Sequence, residues 1–253
     1  MKTSHLPAGY AHAVFDEVDS TNEEAKRRAT AGERGPLWIS AQTQTAGRGR
    51  RGREWVSPQG NLMATLLIAP HASAASAAGL SLVAALAVYD AVSSWIPDAS
   101  IKVKWPNDVL VKGRKVSGIL LETASFAEAE HLPWLAIGIG INLVSAPAVA
   151  NYPATFVNDH AQAPDAAEAL SVLAMAWDRR FQVWQRQGIE PIRQAWLDAA
   201  AGLGQAIEVR LAHDSLSGTF ETLMADGSLL LALPSGEKRT ITAGEVFFAP
   251  SKG

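Results

Sequence analysis

The sequence predicts an α+β protein: a mixed-sheet core with helices packed on it over residues 1–203, then a small β-barrel over residues 204–253. Strand-length apolar runs mix with two long helical stripes as far as Gly202 and Gly204. Beyond that pair come only short apolar and β-branched runs separated by turn pairs. The 48% hydrophobic content of 253 residues is ample for a core and a second, smaller unit.

Taken in order, residues 12–18 form a first strand, running into Asp19-Ser20-Thr21-Asn22. Glu23 follows Ser20 by three positions and Glu24 follows Thr21 likewise, the capping-box spacing for a helix over 22–30. Gly32 and Gly35-Pro36 end it. Residues 37–42 are a strand leading into an arginine-rich loop. A turn over Ser57-Pro58-Gln59-Gly60 precedes a buried strand over 61–68. Residues 74–95 are alanine-rich, with Leu80, Val83, Ala84, Ala87, Val88, Ala91 and Trp95 on one helical stripe, and predict a long helix laid on the sheet. Residues 101–105 read as a strand stopped by Pro106. Residues 109–112 and 116–123 flank Gly113-Arg114 as a hairpin, and 134–143 form a further strand. Asp165 caps a helix to Gln187 whose buried face carries Leu170, Leu173, Trp177, Phe181 and Trp184, with Gly188 as its stop. Pro191 opens a short helix carrying Trp196 and Leu197. The barrel strands are 207–211, 216–220, 229–233 and 241–248.

The totals exclude several function classes. Without cysteine there is no disulfide, thiolate nucleophile or cysteine-ligated metal. No apolar run is long enough to span a bilayer, and the first residues carry no secretory signal, so a cytoplasmic protein is expected. The formal net charge is −3, so the basic residues of the loop are a local feature on an acidic body, which speaks against a nucleic-acid coat.

That loop, TAGRGRRGREW over residues 45–55, alternates Arg48, Arg50, Arg51 and Arg53 with Gly47, Gly49 and Gly52. Glycine lets a backbone approach a ligand closely, and arginine presents a planar fork to carboxylate and phosphate. The loop alone is compatible with closure over a small charged anion, with a solvated basic turn, or with a nucleic-acid arm. Four like charges repel one another, so it is expected to be disordered without ligand. KWPND, over 104–108, puts Asn107 and Asp108 after a Trp-Pro pair that leaves the ladder, and so in a turn. There Lys104 and Asp108 are also compatible with a surface ion pair of little worth. In GRKVSGILLE, Lys115 follows the hairpin turn and is either solvated or aimed into a site, while Gly118 suits close approach by a ligand or another backbone. GIGIN sets Gly138 and Gly140 in a buried strand, followed by Asn142, whose amide can bond the edge of an adenine-like ring.

Together and in this order, the four strings closely resemble those of the biotin–protein ligases, over roughly residues 14–249. The resemblance implies a class II synthetase-like catalytic core with an SH3-like C-terminal barrel. It implies an ATP-dependent ligase that makes biotinyl-5′-AMP from biotin and Mg-ATP and passes biotin to a lysine of a biotin carboxyl carrier domain. By that resemblance Arg48 and Arg50 enclose the intermediate and Lys115 contacts its carboxyl–phosphate oxygens. Ser20, Thr21 and Gln44 bond the biotin rings, with Asn22, Gly47 and Gly118 beside them. Trp55 and Asn142 flank the adenine, with Arg51, Asn107 and Gly140 on the nucleotide side. Lys104 and Asp108 lie near the phosphates and the incoming lysine. ATP with Mg2+ and biotin are the small molecules implied, Mg2+ travels with ATP, and no other metal is expected. No nucleic-acid or membrane partner is expected, and a homodimer is left open. With the core opening at residue 12, no room is expected for the helix-turn-helix repressor domain of some relatives. A lipoate- or octanoate-transferring relative is the nearest rival, and it usually carries a different arginine–serine–glycine string. A nucleic-acid module is the rival from another class, and would show steeply salt-dependent affinity.

Overall fold

The computed structural model describes residues 4–248 apart from 57, 71, 74, 75, 78, 98, 125–130 and 149–152. Ser57 of the expected turn, Ala74 at the expected start of the long helix, and Ala249 lie outside the described residues. The first sheet has seven strands: β1 (Ala11–Val18), β2 (Leu37–Gln44), β3 (Leu62–Ile68), β4 (Ile101–Lys104), β5 (Asp108–Val111), β6 (Arg114–Glu122) and β7 (Leu135–Ile141). Their order is β1-β2-β3-β7-β6-β5-β4, with β1 and β2 parallel and every other pair antiparallel. The mixed sheet is as expected, and the strand ends fall within two residues of the expected ones.

Helix α1 (Thr21–Thr30) covers one face near β2, β3 and β7, where Ala25 and Ala29 pack on Leu37, Ile39, Leu67 and Ala136. On the other face lie α2 (Leu80–Trp95), α3 (Ala166–Gln187) and α4 (Glu190–Asp198). Burial on α2 is not confined to one stripe, because α3 packs over its outer side: Leu82, Ala85, Leu86 and Val92 are buried as well. Helix α3 begins in a complete capping box made by Asp165 and Glu168, and Gly188 ends it with φ +75°. Trp177, Phe181 and Trp184 stack along it at centroid distances of 5.3 and 5.5 Å. The β5–β6 turn falls one residue earlier than Gly113-Arg114, at Lys112 (φ +49°) and Gly113 (φ +75°). A two-residue hairpin of this type needs positive φ at both central positions, which glycine supplies without strain.

The C-terminal unit is a five-stranded antiparallel sheet of β8 (Ala206–Arg210), β9 (Ser215–Leu223), β10 (Leu229–Ala232), β11 (Lys238–Ile241) and β12 (Glu245–Phe248). Its order is β11-β10-β9-β8-β12, and among the described residues no pairing joins the two ends into a closed barrel. The single strand expected over 241–248 is two, β11 and β12, each paired to a different neighbour. Phe220, Leu229 and Val246 belong to the same buried apolar cluster as the large sheet, and Trp105 Nε1 donates to Gly227 O at 3.0 Å.

Candidate functional site

Strand register builds the site. Ala41 of β2 faces Met63 of β3, Met63 faces Gly140 of β7, and Gly140 faces Gly118 of β6. Gly118 in turn faces Asp108 of β5, and Asp108 faces Lys104 of β4. Residues opposed in register point to the same side of a sheet, so these six form one transverse row. Six strands at about 4.8 Å spacing give a row roughly 24 Å long. The row is the floor of a trough whose residues include Met63, Gly140, Gly118, Asp108 and Lys104.

Glycines in that floor make room for side chains from elsewhere. A Cβ on Gly140 would lie 2.4 Å from the Trp55 indole, and one on Gly118 would lie 3.0 Å from it, so the ring rests across both. A Cβ on Gly138 would lie 2.2 Å from Asn22 Oδ1. The room that the buried glycines suggest is thus taken by this chain's own Trp55 and Asn22.

At the β2 end, Ser20, Thr21, Asn22 and Gln44 line the trough. Ser20 is the N-cap of α1 but its side chain makes no capping bond. The expected capping box does not form. Thr21 gives both its N–H (2.8 Å) and its hydroxyl (3.1 Å) to Gln44 Oε1. The tertiary partner has displaced the local one. Asn22 is saturated by protein: Oδ1 accepts from Thr65 Oγ1 at 2.6 Å, and Nδ2 donates to Glu122 Oε2 at 2.7 Å and Leu120 O at 3.4 Å.

At the β4 end, Asp108 is neither in the turn nor on the surface. It opens β5 at 7% exposure, and Lys104 is 3% exposed. The pair that forms at the trough floor is Lys115 with Asp108, Nζ to Oδ1 2.6 Å, and Lys115 Nζ also lies 5.6 Å from the centre of the Trp55 ring. Lys104 lies over Phe247 and Phe248 at 5.5 and 5.7 Å. Burial pulls its pKa down to about 8, against the opposing pull of Asp108 and Glu245. The unfolded chain therefore binds more protons than the folded one above pH 8, and stability should rise with pH from about 8 to about 10.5. Chemical denaturation across that range should show this rise in the parent and a flatter curve in Lys104→Met. Identical curves would contradict the assignment.

Asn107 stays in the turn and lines the trough, with Nδ2 donating to Ile119 O at 2.6 Å. Asn142 is 2% exposed; Nδ2 donates to Thr155 O at 3.0 Å, and Oδ1 is buried with no partner among the described residues.

The arginine loop closes the trough and is folded. Gly49 N donates to Arg53 O at 2.7 Å, and Trp55 N donates to Gly47 O at 2.9 Å. Gly47 itself does not line the trough, whereas Arg48, Arg50, Arg51 and Trp55 do. The repulsion that favours disorder is offset because acids and a carbonyl meet the arginines. Arg48 bonds to Glu23 and, at 3.2 Å, to Glu122 Oε1. Arg53 makes a two-pronged pair with Glu245 at 2.8 and 2.7 Å, and its bonds hold the Glu245 carboxyl below the usual range. Arg50 Nη1 donates to Gly244 O at 3.3 Å. Burial, then the neighbouring Arg51 charge, pull the Arg50 guanidinium below its ordinary pKa. Arg51 is exposed at φ +57°.

Sequence reasoning missed the acids that hold the loop. Glu122 closes GRKVSGILLE and Gly244-Glu245 sits in AGEV, so the strings were visible, but their partners lie far off along the chain.

Comparison with known proteins agrees with this fold. Residues 14–142 match the model of the biotin/lipoate A/B protein ligase family, and residues 202–249 match the biotin protein ligase C-terminal domain. A biotin–[acetyl-CoA-carboxylase] ligase of Paracoccus denitrificans is 44% identical over 93% of this chain and 99% of its own length. The corresponding ligase of Mycobacterium tuberculosis is 31% identical, over 92% of this chain and 87% of that one. A biotin protein ligase from Aquifex aeolicus, solved with biotin and ATP, superposes with a TM-score of 0.79 at 27% identity, covering 94% of this chain and 97% of that one. With both domain models matched in order and a close relative aligned over nearly its whole length, the chain belongs to the biotin protein ligases of the biotin/lipoate A/B protein ligase family.

Proposed function

We propose that the chain joins biotin to ATP as biotinyl-5′-AMP and then passes the biotinyl group to a lysine of the biotin carrier domain of acetyl-CoA carboxylase. One observation carries this reading: a single trough holds a hydroxyl- and amide-lined end, a lysine–carboxylate pair at its floor, and a lid of arginines. In the first step a biotin carboxylate oxygen attacks the α-phosphorus, the bond to the bridging oxygen breaks, and pyrophosphate leaves. Lys115 and Arg50 would offset the charge that builds at the acyl–phosphate junction, in a space where their effect is screened little by water. Ser20, Thr21 and Gln44 would take the biotin ring system. The partnerless Asn142 Oδ1 would accept from the amino group of adenine, with Trp55 against the base. In the second step the carrier amine attacks the acyl carbon and AMP leaves. Asp108 and Lys104 are the titratable groups at that end for the proton released.

Magnesium would enter with the nucleotide, bound to its phosphates. The setting proposed is the cytoplasm. The division into units at 203/204 is supported by the C-terminal domain match beginning at residue 202. A homodimer would pair through β1, an edge strand of the large sheet, because the outer edge of β4 is taken by the bonds of Val103 with Ala199 and Ala201.

Incubating the protein with biotin, Mg-ATP and a carrier domain should add one biotinyl mass to one carrier lysine. Modification by lipoate and not by biotin would overturn the reading. Proteolysis within residues 48–53 should slow when biotin and Mg-ATP are added, because the ligand adds anionic partners to the lid. Equal cleavage with and without them would count against closure of the loop over the substrate.

A further inference from the structure

We infer that Glu122, together with Glu23, is a carboxylate clasp that positions the lid arginine Arg48 and so holds the acyl-adenylate in the trough. The inference rests on the activity proposed above. Glu122 is the last residue of β6 and sits at the junction of two functional elements. Its Oε2 accepts from Asn22 Nδ2 at 2.7 Å, and Arg48 Nη2 lies 3.2 and 3.4 Å from its two oxygens. Glu23, on the first turn of α1, accepts from the same Arg48 nitrogen. Asn22 is fixed in turn by Thr65, whose side chain is wholly buried, and by the notch at Gly138. The chain of contacts therefore runs from the rigid sheet through Glu122 to the start of the loop.

The far end of the loop is held separately, by Arg53 on Glu245 and Arg50 on Gly244 O. A loop pinned at both ends can lie over a ligand with little further loss of conformational freedom, whereas one pinned only at the far end swings from that end. Glu122 touches no reacting atom. Its role is exerted through Arg48.

The test measures escape of preformed adenylate. Protein is loaded with labelled biotin and Mg-ATP, freed of excess ligand, and followed as biotinyl-5′-AMP leaves. Glu122→Gln keeps an oxygen for Asn22 but loses the charge for Arg48, and release should quicken about three- to tenfold, the range of one ordinary hydrogen bond, since the pair is partly exposed. Glu122→Asp should recover part of the retention. Because Glu122 acts through Arg48, the pair Glu122→Gln with Arg48→Gln should release no faster than Arg48→Gln alone. Release from Glu122→Gln at the parent rate, or effects that multiply in the pair, would overturn the clasp. Should Glu122→Gln fail to fold, Glu23→Gln removes the other arm from a helix surface and decides by the same readings. If the parent protein forms no adenylate at all, the proposed activity fails instead, so the two failures are distinct.

Discussion

Lys115→Ala is expected to slow adenylate formation by about a hundred- to a thousandfold, the range seen when one preorganised donor to a developing negative charge is removed. Two effects act in the same direction. The substitution removes the ammonium that lies 2.6 Å from Asp108 Oδ1. It also leaves the Asp108 carboxylate, 7% exposed, without that cation in a trough proposed to take two anions. An unpaired buried carboxylate costs stability as well, so a single variant confuses lost folding with lost chemistry. The pair Lys115→Met with Asp108→Asn separates them. It should recover part of the thermal stability, because neither member of the pair is left without the other although Lys104 loses the Asp108 charge, and it should remain as slow as Lys115→Ala in biotin-dependent pyrophosphate release. Recovery of the rate along with the stability would show that Lys115 serves only to neutralise Asp108.

Gly138→Ala should lower stability by about 2–4 kcal/mol, from overpacking together with broken buried hydrogen bonds. The new Cβ would stand 2.2 Å from Asn22 Oδ1. Asn22 cannot swing aside freely, since its oxygen is bonded to Thr65 and its nitrogen to Glu122 and Leu120 O. Moving it breaks a network that is buried at Thr65 and reaches Arg48 through Glu122. Gly49→Ala is the control: its φ is −109° and its Cβ would meet nothing nearer than Arg53 O at 3.6 Å. Urea denaturation should move the midpoint sharply for the first substitution and little for the second. Equal midpoints would mean that Asn22 is not held as described.

Much of the site was legible because its strings are local. Arginine–glycine alternation, a strand ended by Trp-Pro, and two glycines in an apolar strand each advertise an unusual backbone or charge. Their meeting was not legible, because it depends on register. Nothing in KWPND says that Asp108 will stand opposite Gly118, or that Gly118 will stand opposite Gly140. The proline suggested a turn for Asp108, and strand pairing put it instead at the first position of β5. Likewise Ser20 and Glu23 have capping-box spacing, but Thr21 binds Gln44 and Glu23 binds Arg48, partners that local spacing cannot reveal. The long alanine-rich helix showed one apolar stripe, yet it is buried on most sides because α3 covers it. Small residues let a helix be enclosed without announcing it.

A structure with biotinyl-5′-AMP bound is the most direct measurement. It should show the acyl–phosphate junction within hydrogen-bond distance of Lys115 Nζ and Arg50, above the Gly118–Gly140 floor, with the biotin rings toward Thr21 and Gln44. A ligand seated outside the trough, or Lys115 and Arg50 turned to solvent with the ligand in place, would contradict it.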